Sequence, residues 1–412
     1  MASAAAGQDT EPQFLAKRRA HALDVLETLE LPQFKGRPGW EFTDLSDLDL
    51  SAYQPGRNGH SAEGAEPLFA LQDAITDTDQ LPDGAIVAPL HRALRDHPEL
   101  LERHLSSLVT PDGDFFVAKN EASFETGAFV YVPNGVVLER PVLLSALQGG
   151  DGTEHNRRTL VVLEEGAQAE VWEQQLSGSP DGSSLLNTVI ELVVGDGARL
   201  RFVCGQQLSE RSWIFGTHRA EIARDGVLDW VALGFGSGAG RVRMETRLGG
   251  PGAEARVTGA YAAHGRQHLD FDTTQEHAAP NTTSDLAFRG VLSGRATAVW
   301  KGNIIVDPGA QKTDAFQESR NLLISKRAHA DAIPGLEIQA NDVRCTHAAA
   351  VAQVDPEQLF YLRSHGLPEN LAKRLVIEGF LAALVERFEQ GPVRDVLART
   401  LEQRLSQVLG DY

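Results

Sequence analysis

Sulfur is scarce in these 412 residues: Cys 2 and Met 2. With Cys204 and Cys345 as its thiols, the chain has no disulfide framework, which fits a reducing compartment. Positive charge is short as well. Lys+Arg 38 against Asp+Glu 57 leaves a formal net charge of -19, whereas nucleic-acid binding rewards clustered cations. The same acidity repels anionic membrane surfaces. No apolar run approaches the ~18 residues of a membrane-spanning helix. The opening MASAAAGQDTEP lacks the basic and apolar regions of a secretory signal, so a cytoplasmic protein is expected and the Asn281-Thr282-Thr283 acceptor pattern reads as a coincidence. The chain also lacks a G-x-x-x-x-G-K-[ST] phosphate loop and a G-x-S-x-G nucleophile elbow, which excludes ATP hydrolysis through a P-loop and that form of serine chemistry. A left-handed hexapeptide acyltransferase would need a six-residue period, which is missing too.

What is present supports a sizeable core, since 42% of the residues are hydrophobic. Residues 1–10 are small and polar and read as a frayed terminus. Thr10 and Gln13 have capping-box spacing, and Leu15, Ala22, Leu26 and Leu29 mark a helix face that Pro32 stops. Lys17, Arg18 and Arg19 read as its solvated face. The segment Arg37-Pro38-Gly39-Trp40-Glu41-Phe42-Thr43-Asp44-Leu45 reads as an irregular loop anchored by Trp40 and Phe42. Residues 55–80 read as a variable polar loop, and Asp96–Val109 as short helices with Pro98 at a first turn.

From about Phe115 the pattern turns to short β-rich runs broken by glycine. LVVLEEGAQAEVWEQ, LVVGDGARLRFVCGQ, EIARDGVLDWVALG and RLGGPGAEARVTGAYA repeat one strand-turn-strand theme around Gly166, Gly197, Gly226 and Gly252, at intervals of 31, 29 and 26 residues. Such a period suggests a solenoid, with glycines at corners that need positive φ or close approach. An antiparallel sandwich with frequent turns shares the pattern.

The change of architecture falls within PGLEIQANDVRCTHAAAVAQVDPEQLFYLRSHGL, Pro334 to Leu367. Its first half is a strand with Cys345 and His347 at i and i+2, a spacing that puts both side chains on one face. Its second half is a helix with Asp355 at the N-cap, Pro356 at the first position and Gly366 ready for the left-handed C′ position before Pro368. A second helix is expected from about Pro368 to Gln390 and a third from Pro392. Gly379 within the second costs about 1 kcal/mol relative to Ala, which suggests close approach of another backbone.

The string Glu357-Gln358-Leu359-Phe360-Tyr361-Leu362-Arg363-Ser364-His365-Gly366-Leu367 closely resembles the EQLFYLRSRG signature of the SufB/SufD family of iron–sulfur cluster assembly proteins, with His365 in place of Arg. WEFTDL resembles the family's N-terminal tryptophan motif. Cys345-Thr346-His347 and the moderate length resemble the SufD branch more than the SufB branch, and the resemblance runs from about 14 to 388. It implies a mainly β fold, a right-handed parallel β-helix core flanked by helical domains. The expected division is 1–112 helical, 113–350 β-helix and 351–412 helical.

The resemblance also implies a non-catalytic scaffold that pairs with a SufB-like paralogue and docks a SufC-like ABC ATPase, or forms a homodimer when alone. His347 matches the family's functional histidine near the paralogue contact. Thiolate and imidazole suit iron, zinc or copper. Two ligands leave a site open, so a transient interfacial cluster would take others from a partner, from sulfide, or from Glu337 or Asp342. Glu357, Gln358, Phe360, Tyr361 and Arg363 are the expected partner-binding residues. Cys204, isolated in an alternating strand, reads as core. His264, His268 and His277 with Asp270, Asp272 and Glu276 have a metal-like spacing, but their strand positions favour a polar ladder. The alternatives are a cluster-holding SufB-like subunit and a β-helix carbohydrate enzyme using a carboxylate pair.

Overall fold

The computed structural model describes residues 11–33, 39–56, 66–76, 81–82 and 84–409, the side chains of 405–409 excepted. Before the solenoid come α1 (Gln13–Thr28), a short 3-10 turn (Leu50–Ala52), β1 (Gln54–Pro55), β2 (Ile86–Pro89), α2 (Leu90–Asp96), α3 (Pro98–His104) and α4 (Phe115–Ser123). The solenoid follows in unbroken succession. Its first half is β3 (Thr126–Val132), β4 (Val142–Gln148), β5 (Thr153–Leu163), β6 (Gln168–Ser177), β7 (Ser184–Val194), β8 (Arg199–Gln207), β9 (Trp213–Ile222) and β10 (Val227–Gly234). Its second half is β11 (Ala239–Leu248), β12 (Glu254–Ala263), β13 (His268–His277), β14 (Thr283–Leu292), β15 (Thr297–Val306), β16 (Asp314–Leu323), β17 (His329–Ile338) and β18 (Arg344–Gln353). The chain closes with α5 (Pro356–Ser364), α6 (Glu369–Val385) and α7 (Pro392–Leu409). Strand outweighs helix, 43% against 22%.

Odd strands from β3 to β17 form one sheet and even strands from β4 to β18 the other, each strand pairing in parallel with the strand one coil away. Successive coils advance by 26 to 32 residues, which is the period seen in the glycine spacing. This is a parallel β-helix of about 8 turns, and it removes the sandwich alternative. Gly166, Gly197 and Gly252 take positive φ at the corners (68, 63 and 76°), whereas at the Gly226 corner Asp225 does so, at 54°. The inward residues form one continuous apolar column from Val130 through Val171, Phe202, Trp230 and Phe288 to Trp300.

The outer faces are covered by the termini. Leu15, Leu90, Leu101 and Phe124 pack on Phe129 and Leu160 of the odd sheet. On the even sheet Ile377, Leu381 and Leu384 of α6, Phe388, and Leu397 and Leu401 of α7 share a core with Trp172, Val203 and Val231. Leu68 and Phe69, within the stretch read as a variable loop, are buried in the same core. A neighbouring glycine admits them: a Cβ on Gly205 would lie 2.5 Å from Leu68.

Several local expectations are corrected. Phe115–Ser123 is a helix, not a first β run, because Asp114 caps it by accepting from the N–H groups of Phe116 and Val117. α1 begins after Pro12 with no side-chain cap, and Thr10 lies outside the described residues. Arg18 and Arg19 are not a solvated face. They donate to the carbonyls of Leu105, Glu102, Ala122 and Phe124 and tie α1 to its neighbours. The tryptophan loop is held by buried Trp40, Thr43, Leu45 and Leu48, while Phe42 is half-exposed; Arg37 and Pro38 lie outside the described residues. Thr43 Oγ1 donates to Asp270 at 2.5 Å, so this loop straps the odd sheet from outside.

Candidate functional site

Among the described residues β18 ends the even sheet and pairs with β16 alone, in a register that sets Cys345 beside Ala315 and His347 beside Gln317. Its other edge presents unpaired backbone groups, the arrangement that templates addition of a further strand. None of its ten residues is buried. β17 ends the odd sheet in the same way, so the last coil is open.

Cys345 and His347 share the inward face, their Cα atoms about 7 Å apart at the rise of a strand. Cys345 is half-buried against Ile304, Ala315 and Val343. Burial, and then the Asp314 carboxylate, push its thiol up, so a metal would have to displace a proton to bind it. His347 is exposed. The coil beneath it is polar: Gln317, Ser319 and Asn321 are buried. Gln317 Nε2 donates to the carbonyls of Gly302 and Gly335 at 3.3 and 3.0 Å, and its Oε1 has no partner. Sequence reasoning missed this column. A Gln-x-Ser-x-Asn alternation is equally the signature of a strand with a wet outer face, and in the sequence nothing distinguishes the two.

The suggested carboxylate ligands do not join the pair. Leu336 packs with the interior, so Glu337 lies on the opposite face, where it accepts from Asn303 at 2.6 Å. Asp342 sits exposed in the corner turn, its N–H donating to Gln311 Oε1 at 2.9 Å. Among the described residues no three of His, Cys, Asp and Glu form a metal-binding group. The three clustered histidines separate accordingly. His264 pairs with Glu210 at 3.0 Å, His268 Nδ1 contacts Thr297 at 2.8 Å, and buried His277 bridges Thr282 and Ser284. His268 alone bonds an in-register residue of the next coil, while His264 sits in a turn and His277 bonds across the turn that follows its own strand. On the outer face of the even sheet Asp229 sits between Arg201 and Arg256, at 2.9 and 2.6 Å.

The joint continues directly into α5. Asp355 accepts from Glu357 N at 2.8 Å, Pro356 occupies the first turn, and Gly366 takes φ 91° after the last turn. α5 buries no residue. Glu357, Gln358 and Arg363 are exposed; Phe360 and Tyr361 are 74% and 63% exposed, and Leu371 and Leu375 of α6 are exposed as well. A Cβ on Gly379 would meet nothing within 4 Å, so no backbone among the described residues explains that glycine.

The geometry defines a parallel β-helix protein left open at its last coil, with an uncovered helix in direct continuity. The chain belongs to the SufBD family of iron–sulfur cluster assembly proteins. Residues 146–380, more than half of it, match the family model for the SUF system FeS cluster assembly SufBD core domain, and residues 70–144 match that for the SufBD N-terminal region. It is 28% identical to the iron–sulfur cluster assembly protein SufD of Bacillus subtilis, over 96% of this chain and 95% of that protein. An iron–sulfur cluster assembly SufBD family protein of Mycobacterium tuberculosis is 32% identical over 71% of this chain and 74% of its own length. Among the described residues no helix is long and apolar enough to cross a membrane.

Proposed function

We propose that this chain is a non-catalytic scaffold subunit of an iron–sulfur assembly complex, pairing through its last coil with a SufB-like paralogue and docking a SufC-like ATPase on α5 and the start of α6. The observation that carries this reading is the continuity of an open edge strand holding Cys345 and His347 with a helix whose large apolar residues face solvent. Apolar residues exposed at this level mark an interaction surface. An open edge accepts a partner's strand through backbone hydrogen bonds.

The cluster is cargo. This chain supplies one imidazole and one thiol at an open end, and the remaining ligands come from the partner or from sulfide. α6 and α7 are anchored on the even sheet, where Arg289 donates to the Phe380 carbonyl and Arg387 pairs with Asp285 at 3.2 Å. Among the described residues α5 has no such anchor on the sheet; Arg363 pairs instead with Glu369 of α6 at 3.4 Å. Closure of the ATPase dimer would therefore act on α5, and through Asp355 on β18 and its Cys345/His347 face.

The test is co-expression with SufB-like and SufC-like partners, purification through this chain, and anaerobic visible absorption of the assembly. A three-component complex whose cluster absorbance falls on His347→Ala is expected. A chain that ignores the ATPase and stays monomeric would sink the reading.

A further inference from the structure

A β-helix normally fills its interior with side chains, but between β8, β9, β10 and β11 the filling is incomplete. A cavity lies there, lined in part by Gly240, that admits one or two water-sized molecules. Its lining includes Cys204, His218 and Met244, together with Gln175 and Gln206. Met1 aside, Met244 is the chain's methionine, and Cys204 is one of its two thiols. Two soft sulfur donors and an imidazole thus meet in one small space.

His218 is the least explained of these. It is 5% exposed, and neither ring nitrogen has a hydrogen-bond partner. A buried polar atom left unpaired carries a desolvation cost that a phenyl ring of similar shape would avoid. Its ring lies over Trp230, centroids 6.4 Å apart, and a Cβ added to Gly216 would come within 3.0 Å of Nε2, so that glycine keeps the nitrogen clear. Met244 is its cross-strand neighbour in register, about 4.8 Å along the sheet. Burial pushes the imidazole down to about 3 and the Cys204 thiol up to about 12. With neither ring nitrogen engaged by a neighbour, a lone pair is free to ligate.

We propose that this cavity binds a soft monovalent metal ion, Cu(I) or Ag(I), held by the Cys204 thiolate, a ring nitrogen of His218 and the Met244 thioether. Thiolate, imidazole and thioether match soft metals, while magnesium and calcium require oxygen ligands. Charge decides between soft ions. A monovalent cation on one thiolate is neutral, whereas a divalent one leaves a net positive charge buried in an apolar wall. The inward Glu173, in register with Cys204, is already paired with Arg157 at 3.0 Å. On binding, the Cys204 S–H bond breaks, the sulfur–metal bond forms and the proton passes to water, with no change of oxidation state; affinity therefore rises with pH. The site stands independently of the scaffold reading, because it lies in the middle of the solenoid rather than at its open end.

The test uses the full chain as Cys345→Ala/His347→Ala, which removes the competing thiol and imidazole at the last coil. Cu(I) is supplied anaerobically from its bicinchoninate complex. We expect one copper retained per chain after desalting, thiolate-to-copper absorption in the ultraviolet, and a raised melting temperature, since the folded state alone offers the site. Met244→Leu, which conserves volume, is expected to weaken retention by about tenfold or more. Cys204→Ala should abolish the ultraviolet band. Should Cys204→Ala fail to fold, Met244→Leu carries the test alone. The proposal is overturned if copper is lost with Cys345 and His347, if Met244→Leu binds as tightly as its parent, or if no copper is retained and the cavity holds water only.

Discussion

Ten of the eleven residues of β7 are buried, whereas none of the ten in β18 is, although both strands belong to the same coil repeat. β7 has a coil on each side, β5 and β9, and α4 on its outer face, where Asn187 bonds the Phe116 carbonyl. β18 has β16 on one side and nothing described on the other. The repeat thus supplies strands, and neighbours supply burial. A terminal coil with the same strand-forming character but no outer neighbour is where a second protein completes what the chain leaves open.

Substitutions at the two ends of this contrast should behave oppositely. Trp230→Ala, in the fully buried column, is expected to cost about 3–5 kcal/mol in denaturant unfolding. Phe360→Ala should stay within about 0.5 kcal/mol of wild type while losing capture of the ATPase. Equal destabilisation by both would break the comparison. Ion pairs should follow the same division. Arg158, buried with Glu121 and Glu191, leaves two uncompensated acids when replaced by Met, at a cost of about 3–5 kcal/mol. Arg344→Met, which removes the exposed pair with Asp314 on β18, should leave the melting temperature unchanged.

Acid sensitivity should also originate in the middle. Burial pushes the His277 imidazole down to about 4, so the folded chain holds it neutral while the unfolded chain takes up a proton near 6.5. The unfolded state then binds more protons, and stability falls as pH drops from about 6.5 towards 4. Asp270 acts in the opposite sense. Burial raises its carboxyl to about 6, so its contribution favours the fold at low pH and is lost as pH rises from about 4 to 6. His277→Gln should flatten the first slope in a pH series of urea midpoints, and an unchanged slope would refute the assignment.

Smaller effects sharpen the view of the open end. Gly379→Ala should stabilise α6 by about 1 kcal/mol, because nothing among the described residues opposes the methyl group. If a partner's backbone packs there, ATPase binding should weaken in the same variant. Smallest in stability is Val351→Lys on the edge strand, expected to leave the melting temperature unchanged and to reduce capture of the paralogue. Loss of fold in that variant would show that β18 is structural to the chain itself.

Much of the site was legible before the fold. Asp355, Pro356 and Gly366 specify α5 through local preferences, and the structure places them as cap, first turn and left-handed residue. The i, i+2 spacing put Cys345 and His347 on one face because alternation is a property of the strand itself. Glu337 and Asp342 were legible as near in sequence but not as facing elsewhere, since that depended on which face Leu336 buries. The polar column under His347 and the cavity around His218 were not legible, because both depend on coils about thirty residues away.

By itself the sequence determined the coil period and the punctuation of the last helices, which rest on short-range rules such as glycine's positive φ, proline's fixed φ and side-chain alternation, and it carried the family through the resemblance of the Glu357–Leu367 string. The tertiary structure decided which polar residues turn inward, that Arg18 and Arg19 cap neighbouring elements, and that β18 and α5 bury none of their residues. Burial is set by atoms far away in the chain, and a residue's letter does not record which coil, if any, will lie against it.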